Sequence, residues 1–259
     1  MLAAATVLIA ASGNVVNDIF DQEIDRFNKP EKRIVGPVIS EAKAWNLYYG
    51  LSSAGLLLGI WLCYQLENTS ASLVFMLVTG GLYFYSYSYK RQFLIGNLVV
   101  ALLAGLVPVM PLYISALCQP STWMSLPWTP ILVAFGVFSF LSTLVRELIK
   151  DLQDLKGDQM LRCKTVPIVL GVVPSKIIIV ALIGVLIGAV GKLQLAWLQA
   201  EDYIILACFT LLVQLPLLLL IGLVLKAKTP EDFGKASNLS KLVMLGGILS
   251  MIAFRTVVQ

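Results

Sequence analysis

LIGNLVVALLAGLVPVMPLYISAL, residues 94–117, runs for twenty-four residues without one charged side chain. A helix needs roughly 17–25 predominantly apolar residues to cross a bilayer, so this stretch reads as a membrane span. Working outward from it, further runs of the same kind occupy Leu2–Phe20, Ala44–Tyr64, Leu73–Tyr89, Thr129–Leu148, Val166–Val190, Tyr203–Leu225 and Leu239–Thr256. Together they predict an all-α, polytopic membrane helix bundle with eight transmembrane helices. Composition agrees: of 259 residues, 58% are hydrophobic and 13% charged, against about 25% charged in soluble domains. The alternating ten-residue segments of a membrane barrel are absent. The opening MLAAATVLIAASGN lacks a positive n-region and runs into polar sequence, so it reads as a membrane helix and not a cleaved leader.

The net charge of +4 is spread in a way that excludes a nucleic-acid partner. Arg26, Lys29, Lys32, Arg33, Lys43, Lys90, Arg91, Arg146, Lys150, Lys156, Arg162, Lys164, Lys176, Lys226, Lys228, Lys235 and Lys241 fall on alternate connections, and only Lys192 and Arg255 on the others. That bias assigns the basic side to the cytoplasm and predicts a multi-pass integral protein of the cell membrane, in contact with its lipids. Cys63, Cys118, Cys163 and Cys208 show no paired spacing, which argues against a disulfide framework or a zinc site. There is no histidine. The available chemistry is therefore that of carboxylates, amines, guanidinium and phenol.

Two acidic clusters stand out on the basic side. NDIFDQEID places Asp18, Asp21 and Asp25 at i, i+3 and i+7, and DLQDLKGD places Asp151, Asp154 and Asp158 at the same spacing. On a helix each set shares one face, where like charges repel unless a cation sits among them. Magnesium is usually held by one or two carboxylates together with substrate phosphates, so the two motifs predict magnesium carrying a diphosphate. Four spans separate the motifs, which returns them to one side of the membrane. Asn17 is a further oxygen donor. Between the motifs, YFYSYSYKR supplies Lys90 and Arg91 for phosphate oxygens, and Tyr87 among rings that can face a developing carbocation. Arg26, Lys150 and Lys164 flank the motifs and are candidates to reach phosphate. The repeated motif suggests two related halves, about residues 1–92 and 93–225, followed by a last helix in a single domain. If the halves correspond helix for helix, one N-terminal helix is missing and the start is expected to lie upstream.

These residues resemble the UbiA superfamily of intramembrane prenyltransferases. Its first motif, NDxxDxxxD, is matched by Asn17, Asp18, Asp21 and Asp25, and its following Asn-Arg-Pro turn by Asn28, Lys29 and Pro30. Its second, DxxDxxGDxxxxxxTxP, is matched by Asp151, Asp154, Gly157, Asp158, Thr165 and Pro167, and its Tyr/Lys element by Tyr87 and Lys90. Lys29 replaces the usual arginine, and Arg33 stands where proline is common. The resemblance implies a bundle usually of nine helices, one more than the eight expected here, so the family's first helix is expected to lie upstream. It also implies magnesium at the six aspartates, an isoprenyl diphosphate donor and a lipophilic acceptor. Lys90 would hold diphosphate and Tyr87 would position it or face the cation. In texture the chain is nearest to geranylgeranylglyceryl phosphate geranylgeranyltransferases; aromatic quinone-precursor and chlorin acceptors are the alternatives within the family. A secondary transporter is the rival of another class. A CDP-alcohol phosphotransferase is disfavoured, because Asp18 is followed by Ile19 and no DG and AR pairs share a motif.

Overall fold

The computed structural model describes residues 1–28, 31, 33–119, 121, 123–199 and 201–253. Among them there are twelve α-helices and no strand beyond an isolated bridge between Val35 and Ile39. Seven helical stretches are long and apolar enough to cross a membrane: Leu2–Phe20, Glu41–Gln65, Thr69–Tyr87, Ile95–Cys118, Thr129–Gln153, Val172–Gln199 and Tyr203–Lys226. The eighth expected span, Leu239–Thr256, lies largely in a longer helix, α12 (Pro230–Ala253), whose first half, PEDFGKASNLS, is polar. Its last expected residues fall outside those described. The protein is a multi-pass integral membrane protein built as a helical bundle.

Contacts divide the chain into two compact units. The first comprises residues 1–103, 110–124 and 156–164. In it α1 (Leu2–Phe20) packs along α3 (Glu41–Gln65) and α4 (Leu73–Tyr87). Ala5 and Ile9 of α1 meet Cys63, Ala71 and Phe75 in one buried cluster, and Val16 and Ile19 meet Val35, Ala44 and Tyr48 in another. Small residues at the contact let membrane helices approach closely. Tyr113 of α5 (Ile95–Cys118) satisfies its hydroxyl on the Ala71 carbonyl at 3.0 Å.

The second unit comprises residues 104–109, 125–155 and 165–259. Its long helices are α6 (Thr129–Gln153), α9 (Val172–Gln199), α11 (Leu215–Lys226) and α12, and α6 packs on both α9 and α12. The expected span Val166–Val190 is broken at Gly171 into the short α8 (Val166–Leu170) and α9. The expected span Tyr203–Leu225 is one rod interrupted by a π-helical turn, Thr210–Gln214, between α10 (Tyr203–Phe209) and α11. Across that turn the buried residues are spaced by four, at Ile205, Phe209, Val213 and Leu217. The wider turn keeps one face inward where an unbroken helix would rotate it away.

Two details hold this unit together at its polar end. Lys176 Nζ donates to the carbonyls of Leu225 (3.2 Å) and Ala227 (2.5 Å), so a cation closes the C-terminus of α11, where the helix dipole favours it. The start of α12 is a capping box: Thr229 Oγ1 accepts from Asp232 N at 3.3 Å, and Asp232 Oδ2 accepts from Thr229 N at 3.1 Å, with Pro230 at the first helical position. These N–H groups of Lys228 and Thr229 hold the Asp232 carboxyl below the usual carboxylate range.

Midway along α12, Gly246 faces the π turn. A Cβ there would lie 2.2 Å from the Leu212 carbonyl oxygen. Gly246→Ala is therefore expected to lose about 1–3 kcal/mol through overpacking, read as a lowered unfolding midpoint in detergent. An unchanged midpoint would mean the rod slides past α12 without cost.

Candidate active site

The first acidic motif sits at a helix junction. Asp21 closes α1 with φ −90° and ψ 0°, and α2 (Gln22–Asn28) begins at the next residue. The backbone bonds from Asp21 N to Asn17 O (2.9 Å) and from Asp25 N to Asp21 O (2.8 Å) carry the helical register across. That is why the i, i+3, i+7 spacing survives a change of helix. The aspartates do not all face one point, however. Asp18 and Asp25 line a small cleft with Gln22, Arg33, Ile34 and Val35, while Asp21 turns toward Lys90.

Asp21, Asn17 and Lys90 form a closed triangle. Lys90 Nζ donates to Asp21 Oδ1 at 2.5 Å and to Asn17 Oδ1 at 3.1 Å, and Asn17 Nδ2 donates to Asp21 Oδ2 at 2.7 Å. Both charged side chains are only 13% exposed, so their attraction is less screened than that of a surface pair. Lys90 reaches this place from a 3₁₀ turn, Tyr89–Arg91. That turn is held from several directions. Arg91 Nη2 donates to the Phe20 carbonyl at 3.4 Å, and the Arg91 carbonyl accepts from Lys164 N at 2.8 Å. Behind it, a Cβ on Gly96 would come within 2.5 Å of Lys90 Cα and 2.7 Å of the Tyr89 carbonyl oxygen. Only a glycine lets α5 pass this close to the lysine's backbone.

The segment 156–164 brings Asp158 into the same unit, where it is buried. Burial pushes the Cys163 thiol up; the charges of Asp158 and Asp21 add to the rise, and those of Arg91 and Lys90 oppose it. One thiol thus feels both acidic motifs and both cations of the intervening turn. The other members of the second motif, Asp151 and Asp154, lie at the end of α6 and at its C-cap, in the second unit, with Lys150 beside them. Arg26 is exposed on α2, and Lys164 contributes its backbone N–H here with an exposed side chain.

Rings crowd the polar site. Tyr87 is edge-on to Phe20 at 5.5 Å between centroids and stacked on Tyr83 at 6.2 Å. Phe20 also meets Trp45 at 5.8 Å, and Tyr48 meets Tyr83 at 6.2 Å. Trp45 and Tyr48 extend the aromatic set beyond the YFYSYSYKR segment in which it was expected. Nothing local marks them, since they join it only when α3 packs on α1. Arg33 was also unexpected: its Nε is buried with no hydrogen-bond partner among the described residues, beside the Asp18–Asp25 cleft. The turn residues Lys29 and Pro30, the side chain of Asn28, and Lys32 lie outside the described residues.

The donor chemistry suits magnesium. Asp18, Asp25 and Gln22 offer hard oxygens to one cleft, and among the described residues no three acidic or thiol groups converge as a ready metal cage. Magnesium is commonly held this way, by few carboxylates and by the phosphates that arrive with it.

A profile of the UbiA prenyltransferase family matches residues 1–242. The chain is similar to the digeranylgeranylglyceryl phosphate synthase of Metallosphaera sedula, 36% identical over 58% of this chain and 49% of that one. It resembles the synthase of the same name from Sulfurisphaera tokodaii at 34% identity, covering 60% of that protein. The chain thus spans only half to three fifths of these two relatives' length. The Methanothermobacter thermautotrophicus synthase aligns more fully, 30% identical over 98% of this chain and 83% of its own. Among solved structures, a digeranylgeranylglyceryl phosphate synthase is similar at 26% identity and a TM-score of 0.60, covering 97% of this chain and 85% of that one. A UbiA homologue from Aeropyrum pernix K1 shares the fold at a TM-score of 0.70, with 96% of this chain and 88% of that one covered, at 21% identity. The sequence match over nearly the whole chain, the helical architecture and the paired aspartate motifs converge: this chain belongs to the UbiA prenyltransferase family.

Proposed function

We propose that this protein transfers an isoprenyl group from an allylic isoprenyl diphosphate to the free hydroxyl of a lipid, with geranylgeranylglyceryl phosphate as the acceptor. The observation that carries the reading is the Asn17–Asp21–Lys90 triangle beside the Asp18–Asp25 cleft: an ammonium and hard oxygens side by side, as a magnesium diphosphate requires. The acceptor is taken from the relatives, whose names all specify that product.

In this reading Asp18 and Asp25 would hold magnesium, with Asp21 and Asp158 of the same unit serving the diphosphate and its metal; Asp151 and Asp154 are the remaining carboxylates of the second motif. When bound, the ion neutralises charge that builds on the departing diphosphate. Lys90 moves its ammonium from Asp21 to a phosphate oxygen as the donor enters, and Asn17 keeps the carboxylate aligned. Arg91, Lys164 and Arg26 are the further cations of this unit available to phosphate. The rings of Phe20, Tyr83 and Tyr87 present π-faces to the allylic carbon as its positive charge grows. The apolar bundle keeps water from that carbon, so the acceptor hydroxyl is the nucleophile that reaches it.

The test pairs prenyl diphosphates of several lengths with glyceryl phosphate, aromatic and chlorin acceptors, read by mass spectrometry with and without EDTA. The expected product is a digeranylgeranylglyceryl phosphate, lost with EDTA and restored by magnesium. An aromatic carbon product would replace this acceptor with a quinone precursor. Donor left intact under every condition would overturn the enzymatic reading.

A further inference from the structure

Arg33 belongs to neither acidic motif and has no part in the mechanism above. It stands where the family pattern commonly has proline, so the motifs themselves do not supply this cation. Its place is fixed by the fold of the first unit alone. Between α2 and α3 the chain makes a tight turn: Val38 N and Ile39 N both donate to the Ile34 carbonyl at 3.0 Å, and Gly36 N donates to the Ile39 carbonyl at 2.8 Å. Gly36 has φ +97°, which residues with a Cβ rarely adopt. Val35, 6% exposed, pins the turn to Val16 and Ile19 of α1 and to Ala44 and Tyr48 of α3. The guanidinium folds back across this turn, with Nη2 3.3 Å from where a Cβ on Gly36 would stand. It ends in the cleft with Asp18, Gln22 and Asp25. Gln22 Nε2 donates to the Ile19 carbonyl at 3.1 Å, which leaves its Oε1 on the Gly36 side.

Arg33 Nε is buried and meets no hydrogen-bond partner among the described residues. A buried donor on a charged group costs more free energy unbonded than a neutral one, so the cleft suits a ligand that brings oxygen. The same cleft presents two carboxylates, which suit a ligand that brings positive charge. A bare cation would be repelled by the guanidinium, and a bare phosphate by Asp18 and Asp25. A magnesium ion carrying its phosphate satisfies both. We infer that Arg33 makes this cleft a receptor for the magnesium–diphosphate pair as one unit, and not for the ion alone; this rests on the magnesium–diphosphate reading above. Asp18 and Asp25 would take the ion, and Arg33 Nε with one Nη would donate side by side to phosphate oxygens, the fork in which a guanidinium surpasses an ammonium. The cleft encloses about 240 Å³ with its open mouth, roughly eight waters' share of liquid volume, which is room for an ion and a phosphate group. Metal and diphosphate therefore bind together, each raising the affinity for the other. The acceptor's phosphate offers the same oxygens with less charge, and the test includes it.

Binding is read on the purified full chain in detergent, without turnover. In one arm manganese stands in for magnesium, and loss of the free-ion EPR signal reports the bare ion. Retention of ³²P-diphosphate at saturating magnesium reports the pair, and glycerol phosphate competes for it in a third arm. Wild type is expected to hold diphosphate about tenfold or more tightly with magnesium than without. Arg33→Gln is expected to weaken that hold about tenfold or more while binding bare manganese about threefold more tightly than wild type. Arg33→Lys keeps the charge and loses the fork, so manganese should bind as in wild type and diphosphate several-fold more weakly. Diphosphate held by Arg33→Gln within twofold of wild type would overturn the inference. So would equal loss of diphosphate and manganese, which would make Arg33 a strut of the cleft. Glycerol phosphate displacing the label at equal concentration would give Arg33 to the acceptor and overturn the donor assignment. Wild type that retains no diphosphate with magnesium would overturn the magnesium–diphosphate reading itself.

Discussion

Asp21→Asn is expected to slow diphosphate release from an allylic donor by about a thousandfold, at the upper end of what one preorganised electrostatic group contributes. The substitution keeps volume and leaves the Asn17 amide a carbonyl to bond, so it changes charge and little else. Two losses then combine. The first motif gives up a carboxylate, and Lys90, only 13% exposed in the native site, loses the Asp21 charge that lies 2.5 Å from its ammonium. Weakening the pairing of a buried cation is costly, so the turn Tyr89–Arg91 is expected to shift against α1 and move the Lys90 ammonium with it. Release is measured directly as inorganic diphosphate, with circular dichroism and elution volume confirming an intact bundle. Turnover within tenfold of wild type would remove Asp21 from the mechanism.

Gly96→Ala should cost about a tenth of that factor, roughly a hundredfold, while touching no charge. The new methyl would meet Lys90 Cα at 2.5 Å and the Tyr89 carbonyl oxygen at 2.7 Å. Backbone atoms cannot rotate aside as a side chain can, so either α5 or the turn must move. A displacement of about 1 Å in a positioning element can lower rate about a hundredfold. The loss should appear in turnover and in the KM for the donor, and leave the acceptor KM alone. Gly80→Ala is the matched control, because nothing lies within 4 Å of its added Cβ. Equal effects at the two glycines would show that helix propensity, not crowding at Lys90, is responsible.

The legible parts of this protein are those that depend on near neighbours in the chain. Leu2–Phe20 was expected as a span and is a helix over those same residues, because an apolar run with no internal break needs no partner to define it. The spacing of the first motif was equally readable, since the register from Asn17 to Asp25 is carried by local backbone bonds. What the pattern hid is what the carboxylates do. Asp18, Asp21 and Asp25 share a spacing but not a role: one is claimed by a lysine 69 residues away, and two face a cleft with Arg33. No periodicity encodes that pairing. The π turn was hidden for a related reason. Thr210–Gln214 is an ordinary apolar pentad, and its extra residue makes sense only against α12, where Gly246 leaves room for a displaced carbonyl.

The buried thiol at Cys163 turns the site into its own sensor. Cys118 is exposed and Cys208 partly so, whereas Cys63 and Cys163 are shielded, so a maleimide reagent should exhaust the first two before reaching the others. Cys163 lies directly after Arg162 and before Lys164, whose N–H is bonded to the Arg91 carbonyl at 2.8 Å. Any loosening of the Lys90 turn therefore opens a route to that sulfur. In a chain reduced to this one cysteine, alkylation rate would report how tightly the turn is clamped, and could be followed in a membrane with no substrate turnover at all.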